Sequence, residues 1–258
     1  MFEAKEYISW RLRAHGKAGV QAPFLFRLCN EVLSPKNRVR GNEPFEAIRR
    51  ELLADEREIQ ITDLGAGAKT EASPVRKVSY VARTSAKSPK WAGILHKLAA
   101  EFRPEVIIEL GTSLGISGMY LAAAIPQGRL VTLEGCPNIA ALARENFAKA
   151  GIRNAETVTG HFDETLPQVL ETLPQVTFAY IDGNHTEAAT LHYFSLFKNK
   201  ATADTVLIFD DIHWSEGMKA AWETIRNDAS VTLTLDLFHL GLVFFNPGLS
   251  KQHFNLTV

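Results

Sequence analysis

The chain has 258 residues, with 28 Lys and Arg against 29 Asp and Glu and a net charge of −1. Hydrophobic residues make up 46% and charged residues 22%, the balance of a globular protein with a full core and not of a disordered chain. The near-neutral charge disfavours nucleic acid as a partner, since such binders carry a basic face. No apolar run approaches the roughly 18 residues of a membrane span; Met119–Ile125 is among the longest, so no membrane partner is expected. The first residues, MFEAKEYISWRLRAHG, are charged throughout and lack the apolar stretch of a secretory signal. Cys29 and Cys136 are the only cysteines. Two thiols build neither a disulfide framework nor a zinc site, and a cytoplasmic location is expected.

Residues 1–60 read as helical, with apolar segments at Ala22–Leu33 and an amphipathic stretch at Asn42–Arg57. Ten basic and five acidic residues in positions 1–50 make this part locally positive: a solvated face, or a substrate lid that meets anions. Ala66–Pro89 has no sustained period and reads as a loop. Lys90–Glu101 predicts a helix that stops before Pro104.

From Glu105 the pattern is regular. Short β-rich runs at Val106–Leu110, Arg129–Leu133, Glu156–Thr159, Thr177–Ile181 and Thr205–Phe209 alternate with helix-compatible stretches. The helical stretches are Leu114–Ala124, Asn138–Ala150, Asp163–Leu173, Glu187–Lys198 and Ser215–Asn227. That alternation predicts βαβ units and a parallel sheet with helices on both faces. Val231–Phe238 and Leu242–Phe245 then read as an antiparallel hairpin.

Two glycine-rich turns follow β-like runs. Asp63-Leu64-Gly65-Ala66-Gly67-Ala68 has no apolar helix behind it, so no helix N-terminus could supply a phosphate cradle, and it reads as a decoy. Glu109-Leu110-Gly111-Thr112-Ser113-Leu114-Gly115-Ile116-Ser117 follows VIIEL and opens an apolar helix. Gly111 permits the tight turn out of the strand and Gly115 the close approach of helix and ligand. Glu134 ends the next run, 25 residues after Glu109, where an acid accepts both hydroxyls of a ribose. After the third run lies Gly160-His161-Phe162-Asp163, in which Phe162 packs on an adenine ring or into the core.

The combination of E-x-G-x-x-x-G, the acid ending the second strand and the terminal hairpin resembles the class I S-adenosylmethionine-dependent methyltransferases over about residues 85–246. The resemblance implies a Rossmann-like, doubly wound α/β fold: a mostly parallel seven-stranded sheet ending in an antiparallel hairpin. It divides the chain into an N-terminal helical extension and lid loop, 1–84, and a methyltransferase domain, 85–258. It implies S-adenosylmethionine as cofactor, with Glu109, Gly111, Thr112, Ser113, Gly115 and Ser117 along the methionine part and Glu134 on the ribose. Gly160, His161 and Phe162 then lie by the adenine, Ser88 caps the methionine carboxylate, and Asp182 is counted among the cofactor contacts. Glu109 stands where the nicotinamide pattern has glycine, which separates this cofactor from NAD.

Asp182-Gly183-Asn184-His185 ends the fourth run and Asp210-Asp211-Ile212-His213-Trp214 the fifth. In a doubly wound sheet both open on one edge, so Asp182, Asp210 and Asp211 are expected to converge on a hard cation, Mg²⁺ first and Mn²⁺ or Ca²⁺ behind it. The rival reading makes Asp211 or Ser215 a helix cap and Asp182 a turn residue. The arrangement resembles the cation-dependent O-methyltransferases acting on catechols and on macrolide or aminocoumarin sugars. IDGNH is similar to the DGDH of the sugar-modifying branch, with Asn184 in place of the second Asp and His185 as the base. The resemblance implies catalytic roles for His185 and Asp182 and a small-molecule hydroxylated acceptor. Two alternatives stay open: a metal-independent methyltransferase, including an RNA-directed one, and a non-catalytic cofactor-binding protein. The first 84 residues choose the substrate or form a dimer contact, so a homodimer is also open.

Overall fold

The computed structural model of the protein describes residues 2–14, 23–34, 39–62 and 74–258; the glycine turn at Asp63–Ala68 lies outside them. In chain order the elements are α1 (Phe2–Arg13), α2 (Pro23–Arg27) continued by a π-helical turn (Leu28–Val32), α3 (Glu43–Ala54), β1 (Glu58–Gln60), β2 (Val75–Lys77), α4 (Val78–Ser85) and α5 (Pro89–Phe102). There follow β3 (Val106–Leu110), α6 (Ile116–Ala124), β4 (Arg129–Glu134), α7 (Pro137–Lys149), β5 (Ala155–Thr159), α8 (Phe162–Glu171) and β6 (Val176–Ile181). The chain ends with α9 (Glu187–Lys198), β7 (Ala201–Asp210), α10 (Glu216–Asn227), β8 (Leu233–Asp236), β9 (Leu240–Phe244) and β10 (Gln252–Asn255).

The chain forms two compact units, Met1–Ser34 with Val169–Val258, and Pro35–Gln168. The N-terminal region contributes to both units. In the first, Trp10 of α1 lies 5.4 Å from the Phe238 ring. In the second, Phe45, Ile48 and Leu52 share a core with Val78, Val81 and Ala82 of α4 and Met119 and Tyr120 of α6. Phe45, Ile48 and Leu52 recur at helical spacing, so α3 buries one stripe while Glu43 and Glu51 stay in water.

The fold class is α/β and mostly parallel, as expected, with eight sheet strands instead of seven. The first unit holds five, in the order β10-β8-β9-β7-β6, and the second three, in the order β3-β4-β5. Parallel pairing joins β3 to β4, β4 to β5, and β6 to β7; β9 runs antiparallel to β7 and β8. The eighth strand, β10, pairs parallel with β8; QHFN carries no β-branched run that would announce it. Ile107, Ile108 and Leu110 of β3 and Leu130, Val131 and Leu133 of β4 are all buried, the continuous apolar pattern of strands covered on both faces.

The stretch expected to be a loop before Pro89 contains α4, whose Val78, Val81 and Ala82 are buried by tertiary packing. Helix α5 begins with Pro89 in its first turn and ends at Arg103, which turns left-handed (φ 47°) just before Pro104. Gly118 marks a close approach of α6 to its neighbours. A Cβ there would meet Phe147 Cζ at 2.8 Å and Glu109 Oε2 at 3.0 Å. Gly118→Ala is therefore expected to destabilise the protein by about 1–3 kcal/mol through overpacking, read as a lower denaturation midpoint in urea.

Candidate active site

The glycine loop after β3 lies in the unit Pro35–Gln168. Its backbone turns left-handed three times, at Gly111 (φ 96°), Ser113 (φ 47°) and Gly115 (φ 82°). The amides of Gly111 and Thr112 both donate to Leu133 O, at 3.0 and 3.1 Å, which ties the loop to the end of β4. Asn146 of α7 holds it from the other side, its Nδ2 donating to Leu114 O at 2.9 Å. Gly115 packs against Phe147, 3.1 Å from where a Cβ would stand, so glycine serves here both for its φ and for space.

Glu134, at the end of β4, lies against this loop. Its Oε2 accepts from Ser113 N and its Oε1 from Cys136 N, each at 2.9 Å. Burial pushes its pKa above the ordinary 4.5, against the pull of those N–H donors. Each carboxylate oxygen has a second lone pair, so the group still has acceptor capacity for hydroxyls. Gly160, with φ 148°, donates its amide to Glu134 O at 3.0 Å, placing the β5–α8 turn beside β4. In that turn His161 Nδ1 accepts from Asp163 N at 3.2 Å, and the half-buried Phe162 begins α8.

Glu109 is fully buried, and its Oε2 accepts a 2.6 Å hydrogen bond from the Thr132 hydroxyl. Thr112 is equally buried, its hydroxyl 2.6 Å from that of Thr132. The two residues thus join a chain that stitches β3 to β4. Ser117 is buried in the first turn of α6, whereas Ser88 is exposed at the N-cap of α5 and makes no side-chain capping bond. Thr132 and Asn146 escaped the sequence reading; Thr132 stands as the one polar residue within the apolar run LVTL.

Sequence reasoning also missed a polar cluster between α3 and α6. Tyr120 donates to Glu46 Oε1 at 2.8 Å and accepts from Asn42 Nδ2 at 2.7 Å, while Arg49 pairs with Glu46 at 3.0 Å. Burial raises the Tyr120 pKa to about 12, so the phenol remains a donor.

The carboxylate residues lie in the other unit. Ile181 pairs with Phe209 in the parallel β6–β7 register, so Asp182 and Asp210 follow at matching positions on neighbouring strand ends. Asp210 is buried. Asp211 turns left-handed (φ 51°), its amide donating to His239 O at 2.8 Å. Asp182 Oδ2 accepts from the Tyr180 hydroxyl at 2.8 Å, and Oδ1 lies 3.4 Å from His185 Nε2. Tyr180 and Asp182 share a face through the two-residue strand period, a relation legible in the YID triplet. The His185 ring stands edge-on to Trp214, centroids 5.9 Å apart, and Trp214 is 46% exposed. Asn184 is left-handed (φ 52°) and donates its side-chain amide to the Tyr193 hydroxyl at 3.2 Å. Its departure from DGDH thus has a local structural use. Ser215 caps α10 through Met218 N, and Thr186 caps α9 through Ala189 N. Helix capping therefore does not fall to Asp211.

Among the described residues, no three His, Cys, Asp or Glu side chains are grouped so as to hold a metal ion. Asp182, Asp210 and Asp211 offer only oxygen donors, the chemistry that suits a hard ion such as Mg²⁺.

Residues 108–212 match the family model of a methyltransferase domain. Catechol O-methyltransferase B of Danio rerio is 31% identical over 165 residues, 62% of each chain. A catechol O-methyltransferase of Niastella koreensis is 40% identical over 86 residues, 33% of this chain and 39% of that one. The chain thus spans less than two thirds of these relatives' length. Among solved structures, the O-methyltransferase from Bacillus cereus in complex with SAH has a TM-score of 0.54 at 24% identity, over 62% of this chain and 83% of that one. Cofactor-bound Rv0187 from MTB has a TM-score of 0.59 at 20% identity, over 81% and 92%. These structures share the fold, and together with the sequence matches they support the resemblance to class I S-adenosylmethionine-dependent O-methyltransferases.

The buried state of Glu134 can be read directly. With its folded pKa above the unfolded one, its contribution to stability is full below pH 4.5 and is lost as pH rises through the raised value. Carbon-13 NMR of the Glu134 carboxyl should give a midpoint above 4.5; a midpoint at or below 4.5 contradicts this account.

Proposed function

We propose that the protein is an S-adenosylmethionine-dependent O-methyltransferase acting on a small hydroxylated acceptor. The observation that carries the reading is the pairing of Asp182 with His185 at the end of β6, beside Trp214, in a chain whose residues 108–212 match a methyltransferase domain. When bound, the cofactor supplies a methyl group on a sulfonium, already activated for transfer to oxygen.

The protein's own tasks are then to bind, align and deprotonate. Glu134, fixed by two backbone N–H groups, accepts from the ribose hydroxyls; Gly111 and Gly115 let the methionine portion approach the backbone. A carboxylate only accepts, so His185 carries its hydrogen on Nε2, facing Asp182, and leaves Nδ1 basic. Nδ1 would take the proton of the acceptor's hydroxyl during transfer of the methyl group that the cofactor would supply. Asp182, anchored by Tyr180, holds the ring in this tautomer and stabilises the imidazolium that results. Trp214 offers an apolar wall for the acceptor.

Asp182, Asp210 and Asp211 are the residues that would hold Mg²⁺ or Mn²⁺, which would orient two acceptor oxygens and lower a hydroxyl pKa. The Asp182–His185 pairing favours a second reading, in which the same transfer proceeds by general-base catalysis without a metal. Cys29 and Cys136 are both buried, and a pair of buried cysteines in place of a disulfide framework supports a cytoplasmic, reducing location. Among the described residues no helix is long and apolar enough to cross a membrane.

Calorimetric titration with S-adenosylmethionine tests the cofactor. Glu134→Ala should weaken binding by about 10–100-fold, the worth of a hydrogen bond to a charged group; unaltered binding, or none in the wild type, defeats the reading. His185→Ala should lower kcat by about 10²–10⁴ with cofactor affinity unchanged. Titration with Mg²⁺ separates the two mechanisms: a binding heat abolished by Asp210→Asn and activity lost in EDTA favour the metal, whereas EDTA-resistant turnover favours the dyad alone.

A further inference from the structure

Helix α1 reaches the β7–α10 loop, residues 211–215, and its immediate surroundings through three sets of contacts. Glu6 Oε1 pairs with Lys219 Nζ at 2.6 Å, just beyond the loop in α10. Glu6 Oε2 lies 3.7 Å from Nδ1 of His213, within the loop. Tyr7 and Trp10 pack on Phe238, centroids 5.0 and 5.4 Å away, and the Phe238 ring in turn stacks on His213 at 5.1 Å and 8°.

Two features of this contact are unusual. Phe238 is left-handed (φ 72°), a conformation that a bulky side chain holds only when its surroundings over-determine it. Here the Phe238 amide donates to Asp236 Oδ1 at 2.9 Å, and the aromatic rings close around it. His213 Nδ1, Glu6 Oε2 and Trp10 Nε1 are also buried without a hydrogen-bond partner. Glu6 and Trp10 are four residues apart, on one face of α1. His213 is already fixed on its far side, Nε2 to Asp236 Oδ2 at 2.8 Å.

From this we infer that α1 is a strap that positions the 211–215 loop, with Glu6 as its anchoring residue. A positioning residue acts here through others: Glu6 holds His213 and Lys219, which flank Trp214, the residue beside His185. The functional consequence rests on the proposed acceptor role of this loop; the mechanical one does not.

Amide hydrogen exchange on the full chain tests the strap. Glu6→Gln and Lys219→Met should each raise exchange several-fold in residues 211–215, with α10 and the 111–115 loop unchanged, and Glu6→Asp should restore it in part. Faster exchange confined to residues 2–13, with 211–215 as protected as in the wild type, means that α1 merely docks and overturns the inference. S-adenosylmethionine affinity by calorimetry should not move in these variants. With 3,4-dihydroxybenzoate as the acceptor probe, Glu6→Gln should raise KM several-fold and change kcat little; a fall in kcat alone counts against the strap. Absence of S-adenosylmethionine binding in the wild type would defeat the methyltransferase reading and leave the exchange result standing.

Discussion

A carboxylate taken out of water has to be met by donors from its own surroundings, and this requirement organises both halves of the molecule. Glu109 is met by the Thr132 hydroxyl, Glu134 by the amides of Ser113 and Cys136, Asp182 by the Tyr180 hydroxyl, and Asp236 by His213 and the Phe238 amide. The bonds of Glu109, Glu134 and Asp236 join a strand to a neighbouring strand, loop or turn, whereas that of Asp182 is local, from Tyr180 two residues earlier. The acids that mark the candidate site are thus also the fasteners that shape it. Replacing one changes two things together, the ligand's partner and the geometry of the loop that approaches the ligand.

The two roles separate when burial is compared. Glu109 is fully buried, and a 2.6 Å bond to Thr132 occupies Oε2. Its relation to the glycine loop runs through the packing at Gly118 and the Thr112–Thr132 contact. Glu134 is only partly enclosed, and its two bonds come from backbone amides that a ligand need not displace. Glu109 thus helps to set the shape of the turn, while Glu134 keeps acceptor lone pairs, which suits the ribose contact proposed for it.

Much of this was legible in the sequence for a physical reason. Buried parallel strands need continuous apolar runs, and the turns at Gly111 and Gly115 need positive φ, so both leave marks in residue type. What escaped depended on partners distant in the chain. Helix α4 forms because Val78, Val81 and Ala82 find Phe45 and Ile48, not because VSYVARTS favours helix. The division between units follows Trp10, which packs on a residue 228 positions later. Strand β10 borrows its pairing from β8. The departure at Asn184 looked like a missing ligand, yet its amide and its left-handed backbone fit the turn and the Tyr193 hydroxyl.

The carboxylate edge shows why residue types alone leave a mechanism undecided. Three aspartates at two strand ends suggest a cation by like-charge repulsion, but that argument holds only for charges without other partners. Asp182 has Tyr180 on one oxygen and faces His185 with the other. In the proposed mechanism an acid placed this way would govern the base, selecting the imidazole tautomer and lowering the cost of the imidazolium formed on proton transfer. A metal recruited to the same carboxylate would share it with Tyr180 and His185, since each carboxylate oxygen keeps a second lone pair.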